Sequence, residues 1–191
     1  MKLSLTIAAF FVVSLFATLP ARAVLIIDCV ESGGNIQCLT SGSANLAGLT
    51  PDTTGFSTSP SLSSQIGNFG IGAFGAFDPY FGLSGPANFG TGPGVAVDVS
   101  SGPLVGLRGF DLQLRLPSGY VSGAPILNSS ATFSATLAEA GLVPGSHVWF
   151  WGSGANADSM TLNISAVPEP SAFAIFSLVG LGAAGFRARR R

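Results

Sequence analysis

The chain has 191 residues, of which 47% are hydrophobic and only 9% are charged. Its formal net charge is −1, so the composition excludes a charge-driven disordered chain and a protein that binds nucleic acid through overall positive charge. The 26 glycines and 12 prolines favour many short strands and turns over long helices.

The N-terminal segment has the parts of a secretory signal peptide. Lys2 is the basic start, residues 3–19 are uncharged and mostly apolar, and Ala21 and Ala23 are the small residues of a cleavage site. Pro20 ends the apolar helix before this site and leaves an extended segment that a peptidase can bind. We expect the signal peptidase of the general export machinery to cut after Ala23; an uncleaved membrane anchor is the alternative.

Residues 24–166 are predicted to form one ectodomain, which is large enough to build a core. This segment carries two arginines against eight carboxylates, a formal charge of −6 with its histidine neutral. The acidic balance leaves no basic footprint for nucleic acid.

Cys29 and Cys38 are the only cysteines of the sequence, and both follow the predicted cleavage site. An even pair in an oxidising compartment predicts a disulfide. Gly33 and Gly34 between them are a turn signal, so the bridge would join the two arms of an N-terminal hairpin. Free thiols and pairing between chains are the alternatives.

Alternation of apolar and polar residues predicts half-buried strands at 95–99, 112–116 and 161–164. Breaks rich in glycine, proline and serine separate them. The pattern predicts a mainly β fold, either an antiparallel β-sandwich or a jelly-roll-like domain. Residues 134–140 are the one short helical candidate, with Gly141 as its cap, although a strand followed by a turn fits as well.

The aromatic residues cluster in two places. Residues 68–90 hold five phenylalanines among glycines, which predicts packed strands or, alternatively, an aromatic surface for sugars or proteins. His147, Trp149 and Trp151 alternate along a strand that a polar loop joins to residues 159–164, which predicts a terminal hairpin. This strand would be either a central strand or half of a ligand face formed by His147, Trp149 and Trp151.

The C-terminal segment begins with a stiff tripeptide. Two prolines fix the backbone on both sides of Glu169, so Pro168, Glu169 and Pro170 are extended and present one carboxylate to an enzyme groove. Residues 172–186 carry no charge, and a helix over them would be about 22 Å long against a hydrocarbon core of roughly 30 Å. The membrane span is therefore marginal.

A basic cluster ends the chain at Arg187, Arg189, Arg190 and Arg191. By the positive-inside rule it is a stop-transfer signal that keeps this end in the cytoplasm, while the ectodomain lies outside. The order of tripeptide, short apolar helix and terminal arginines, over residues 167–191, resembles the PEP-CTERM sorting signal. That resemblance implies a substrate of an exosortase, a membrane enzyme thought to process such tails during export in Gram-negative bacteria that make exopolysaccharide.

Neither a catalytic centre nor a metal centre is expected. His147 is the only histidine, and the chain has no Gly-x-Ser-x-Gly nucleophile elbow. One histidine and two neighbouring cysteines do not make a transition-metal site, and no cofactor is predicted. Asn156 and Asp158 could supply oxygens to Ca²⁺, although their spacing lacks a dedicated calcium loop.

The sequence therefore predicts an exported, non-catalytic surface or matrix protein. We expect it to pass through an inner-membrane intermediate that faces the periplasm, to meet an exosortase-type enzyme there, and to reach the cell surface or the extracellular matrix. A link to exopolysaccharide and biofilm follows from the resemblance. A carbohydrate-binding module is the alternative. A secreted hydrolase is a third hypothesis, and it would need a serine and an aspartate beside His147.

Overall fold

The computed structural model describes residues 24–52 and 56–166, which form two β-sheets around one core. The predicted signal-peptide helix and the predicted C-terminal membrane helix lie outside the described residues. Among the residues that are described, no helix is long and apolar enough to cross a membrane.

Fourteen strands and three short 3-10 turns make up the regular structure of the described residues. In chain order the strands are β1 (Val24–Ser32), β2 (Asn35–Gly42), β3 (Thr50–Pro51), β4 (Phe56–Thr58), β5 (Ser61–Ser63), β6 (Asn68–Ile71), β7 (Gly75–Phe81), β8 (Gly94–Ala96), β9 (Val99–Ser101), β10 (Val105–Arg108), β11 (Gln113–Pro117), β12 (Ser130–Phe133), β13 (Gly145–Trp151) and β14 (Asp158–Ala166). The 3-10 turns span Ser64–Ile66, Gly109–Asp111 and Gly154–Asn156.

The strands form a six-stranded and an eight-stranded sheet. The order of the first is β13-β14-β1-β2-β12-β9, and the order of the second is β3-β7-β11-β10-β6-β5-β8, with β4 also paired to β7. The predicted mainly β, antiparallel architecture is confirmed, with one exception: β1 and β14 run parallel. These two strands come from opposite ends of the described chain, so no hairpin turn dictates their relative direction.

The N-terminal hairpin forms as its sequence predicts. Gly33 and Gly34 have φ values of 59° and 78°, which the two-residue turn between β1 and β2 requires and which glycine adopts without steric cost. Cys29 lies directly opposite Cys38, and the two form the predicted disulfide. Both cysteines are buried in the core.

The core lies between the sheets and takes alternate residues from each. Leu25 and Ile27 of β1 meet Leu107 of β10 and Leu114 of β11 in one apolar cluster. Phe89, on the long connection between β7 and β8, packs edge-on against Phe69 and Trp149, each with ring centroids 6.5 Å apart. Of the five phenylalanines at 68–90, Phe69 and Phe89 are therefore core residues, whereas Phe74 is 69% exposed.

The predicted single strand at 95–99 is wrong, because the chain changes sheets within it. Gly94–Ala96 pairs with β5 in the eight-stranded sheet, and Val99–Ser101 pairs with β12 in the six-stranded sheet. At the crossing, the Asp98 N–H donates to the carbonyl of Thr132. In the 112–116 segment, Leu112 has a left-handed φ of 52° and the strand begins only at Gln113.

Residues 134–140 form a single capped turn rather than a helix. Thr136 and Glu139 cap each other: the Glu139 carboxylate accepts from the Thr136 N–H at 2.8 Å, and the Glu139 N–H donates to the Thr136 hydroxyl at 3.1 Å. Gly141 ends the turn with a φ of 56°. The capping signal and the cap glycine are present, but the segment between them is one turn long.

Candidate functional site

The described structure ends where the predicted sorting tail begins. Ala166 is the last residue of β14 and pairs with Glu31 of β1. The sorting tripeptide Pro168, Glu169 and Pro170 begins two residues later and lies outside the described residues. So do the arginine cluster and the predicted cleavage residues Ala21 and Ala23.

The predicted ligand face of His147, Trp149 and Trp151 is wrong, because both tryptophans face the core. Trp149 and Trp151 are 0% and 3% exposed. Both indole N–H groups are satisfied internally: Trp149 Nε1 donates to the carbonyl of Pro86 at 2.8 Å, and Trp151 Nε1 donates to that of Asn45 at 2.7 Å. The alternation placed the two indoles correctly on one side of β13. It did not say which side is buried.

The position of β13 also differs from the other alternative, a central strand. It is the first strand of the six-stranded sheet, and β14 is its one partner among the strands of the described residues. Ser84 covers part of its open edge through two backbone hydrogen bonds to Phe150, each 2.8 Å long. Loop backbone thus protects this edge from further pairing.

His147 is engaged by the neighbouring loop. Its Nε2 lies 2.9 Å from the carbonyl oxygen of Val143, to which it donates, and its ring centroid is 6.0 Å from that of Phe89. The buried hydroxyl of Ser64 is likewise tied to backbone, since it donates to the carbonyl of Ala140 at 3.0 Å and accepts from the N–H of Gly92 at 2.9 Å. Each group serves to hold loops together.

Asp158, one of the two oxygen donors considered for Ca²⁺, is a buried structural group. Its carboxylate accepts from the backbone N–H groups of Asn45 at 2.6 Å and Ser159 at 2.7 Å. Burial raises the pKa of this carboxyl, and the two N–H groups oppose that shift. Within 24–52 and 56–166, no three histidine, cysteine, aspartate or glutamate side chains are grouped to hold a metal ion.

A shallow groove of about 490 Å³ lies on the outer face of the six-stranded sheet. Residues of neighbouring strands line it: Asp28, Val30, Gln37, Cys38, Leu39, Ser130, Ala131 and Thr132. A polar row continues from its edge, where Asn163 donates to the Asp28 carboxylate at 2.8 Å and accepts from Ser146 at 2.7 Å. The groove offers hydroxyl, amide and carboxylate groups around the exposed side chain of Leu39.

A second polar surface, missed by the sequence analysis, occupies the outer face of the eight-stranded sheet. Arg115 of β11 lies between the core residues Leu114 and Leu116, so its side chain points outward. Its strand partner on β10 is Gly106, which has no side chain. The guanidinium therefore reaches across β10 to β6, where Nη1 donates to the Asn68 side-chain oxygen at 3.2 Å.

Neutral groups position this guanidinium. Nε of Arg115 donates to the Gln113 side-chain oxygen at 3.0 Å, and Asn68 in turn donates to the Ser61 hydroxyl at 2.8 Å. The Arg115 guanidinium also lies 5.3 Å above the ring of Phe77. Phe77 is buried because the half-exposed ring of Phe56 stacks on it, with centroids 5.8 Å apart.

Arg108, the other arginine of the described residues, is neutralised by a carboxylate. Its guanidinium forms a salt bridge with Asp111, with Nε 2.9 Å from Oδ1. It also lies 4.9 Å above the ring of Phe110. The sequence shows where Arg115, Gln113 and Asn68 lie along the chain but not that they share one face. The register of β6, β10 and β11 brings them together.

Comparison with known proteins identifies one segment. Residues 166–191 match the family model of the PEP-CTERM protein-sorting motif. No curated protein and no solved structure matches the chain. The match begins at the last residue of β14, so the motif follows the folded domain directly. A PEP-CTERM motif implies an exported protein that an exosortase processes and that is targeted to the cell surface.

Proposed function

We propose that this chain is a non-catalytic structural or interaction protein of the cell surface or extracellular matrix, associated with exopolysaccharide. The observation that carries the proposal is the sorting motif that begins where β14 ends. The β-rich, disulfide-bonded ectodomain supports it, since such a bridge suits an oxidising compartment outside the cytoplasm.

Delivery proceeds in four steps in this proposal. The signal peptide directs export and is removed after Ala23. The arginine cluster then arrests transfer, because an arginine at the bilayer centre costs at least about 2.5 kcal/mol on insertion scales. Residues 172–186 hold the chain in the inner membrane, and the exosortase recognises Pro168, Glu169 and Pro170 at the outer surface of that membrane.

A non-catalytic ectodomain is supported by the surroundings of its reactive side chains. His147 is bonded to the Val143 carbonyl, and the Ser64 hydroxyl is enclosed by backbone groups. The hydrolase alternative would need His147 to meet a serine and an aspartate in a cleft. A carbohydrate-binding module that uses the aromatic strand loses its support, because Trp149 and Trp151 are core residues.

The test compares two substitutions in a host that has the sorting enzyme. Glu169→Ala removes the carboxylate of the tripeptide, so we expect export and membrane insertion to continue while processing stops. Ser171→Ala changes the adjacent residue outside the tripeptide and is the matched control, expected to be processed normally. The readout is the intact mass of the protein in membrane and released fractions. Normal processing of the Glu169→Ala variant would refute recognition through this carboxylate.

A further inference from the structure

We infer that the outer face of the eight-stranded sheet binds a carboxylate-bearing saccharide chain at Arg115. This site goes beyond the sorting reaction, which concerns the C-terminal tail. It rests on the proposed surface location only for its biological setting, because binding is measured on the purified chain and does not require processing.

The first support is charge. Residues 24–166 carry two cations against eight carboxylates, and one of the cations, Arg108, is paired with Asp111. Among the described residues, Arg115 has no carboxylate partner and is held by the neutral amides of Gln113 and Asn68. A domain of negative formal charge thus presents one half-buried cation that forms no salt bridge within the described residues.

The second support is the number of unused donors. A guanidinium has five N–H groups in a fixed planar fork. Arg115 uses one at Nε and one at Nη1, so three have no partner within the part of the chain that is described. Such a fork matches the two oxygens of a carboxylate, and the two amides prevent it from swinging away.

The third support is that the charged form of Arg115 is disfavoured in this environment. Burial lowers the pKa of Arg115, and the neighbouring positive charge of Arg108 lowers it further, while Asp111 has the opposite effect. An incoming carboxylate would offset both the burial and the repulsion. The network is therefore preorganised for an anion that the described residues do not supply.

The neighbouring groups favour a saccharide over an acidic peptide. Phe77 touches both Arg115 and Phe56, and the Phe56 ring is 47% exposed. An exposed aromatic ring provides a surface for the apolar face of a sugar ring. The amide of Asn68 and the hydroxyl of Ser61 are half-buried hydrogen-bonding groups of the kind that sugar hydroxyls meet. A uronic acid combines all three features in one unit.

The experiment uses the full-length chain in mild detergent and measures binding by isothermal titration calorimetry at low salt. The probes are an oligogalacturonate, a neutral galactose oligomer of equal length, and poly-L-glutamate. We expect only the oligogalacturonate to bind, and its affinity to fall with added salt. No binding of the oligogalacturonate overturns the site, and equal binding of poly-L-glutamate overturns the assignment to a saccharide.

Two arginine substitutions form the matched comparison. Arg115→Gln is expected to weaken oligogalacturonate binding roughly tenfold or more, as the loss of a charge-assisted pair requires. Arg108→Gln should weaken it less than about threefold, because Asp111 already neutralises that cation. An unchanged affinity of the Arg115→Gln variant refutes the inference.

Arg115→Lys covers the case in which Arg115→Gln fails to fold. It keeps the charge but loses the planar fork, so we expect weaker binding than in the wild type. The intact Cys29–Cys38 bridge and the circular dichroism spectrum report folding. Wild-type affinity in the Arg115→Lys variant would overturn the role of the fork.

Discussion

Glu31 of β1 lies directly opposite Ala166 of β14, so the first and last described strands pair with each other. β14 also pairs with β13 on its other side. The six-stranded sheet is therefore complete only when the residues immediately before the sorting motif have joined it. The described domain and the tail meet at this strand.

The position of β14 predicts how the chain responds to truncation. Met160, Leu162 and Ile164 of β14 are buried, and each contributes about 1.5–3 kcal/mol. Their sum is comparable with the roughly 5–15 kcal/mol that stabilises a whole domain. A chain that stops after Ala157 should not fold, whereas one that stops after Ala166 should.

The two truncated chains are compared as exported products. We expect the chain that ends at Ala166, but not the one that ends at Ala157, to resist protease and to form the Cys29–Cys38 bridge. Equal resistance of both chains would show that β14 is dispensable for the sheet.

The disulfide is expected to stabilise the domain by closing a short loop. The bridged residues are separated by 9 positions, for which the chain-entropy model gives about 2–3 kcal/mol. Replacing both cysteines by alanine should therefore lower the free energy of unfolding by about this amount, measured in urea. Wild-type protein without reductant should show no alkylation of either cysteine, and the stability of the double variant in reductant should not change further.

Trp149 and Phe150 are neighbours with opposite environments, which makes them a matched pair. Trp149→Ala should lower the free energy of unfolding by about 3–5 kcal/mol, because it empties a core site and leaves the Pro86 carbonyl without its donor. Phe150 is 58% exposed, so Phe150→Ala should change it by no more than about 0.5 kcal/mol. Similar effects of the two substitutions on urea unfolding would contradict the assignment of the inner face.

The contributions of two carboxyl groups to folding stability should change with pH in opposite directions. Burial raises the pKa of Asp158, so its ionisation opposes folding: the stability it contributes is full below its unfolded pKa of about 3.9 and is lost as the pH rises through the folded value. Relative to Asp158→Asn, the wild type should gain stability as the pH falls from 7 toward 4.

Glu139 provides the control of opposite sign. The Thr136 N–H and hydroxyl lower its pKa, so the stability it contributes is present above its unfolded pKa and is lost as the pH falls through the folded value. Relative to Glu139→Gln, the wild type should lose stability on acidification. Urea unfolding between pH 7 and pH 3 measures both differences, and slopes of the same sign would contradict the environments described for these groups.

Local features of the fold could be predicted from the sequence. The β1–β2 hairpin follows from its turn glycines and cysteine spacing, and the β13–β14 hairpin follows from two alternating segments around a polar loop. Both depend on residues that are close in the chain.

The features that were missed depend on contacts between distant residues. Alternation placed Trp149 and Trp151 on one face, but the side that is buried depends on the opposite sheet. The break at Val97 and Asp98 arises because two different sheets offer partners on either side of it. The Arg115 surface depends on Gly106 lying opposite it in the next strand. None of these three features can be seen within a short window of sequence.

The central claim is that the C-terminal segment is a processed sorting signal. The most direct test is the intact mass and membrane fractionation of the wild-type protein in two hosts that differ only in the sorting enzyme. With the enzyme, we expect a product that lacks Arg191 and leaves the inner membrane; without it, we expect a membrane-bound chain that retains Arg191. Retention of Arg191 and identical membrane association in both hosts would show that residues 172–186 are a permanent anchor and would contradict this account.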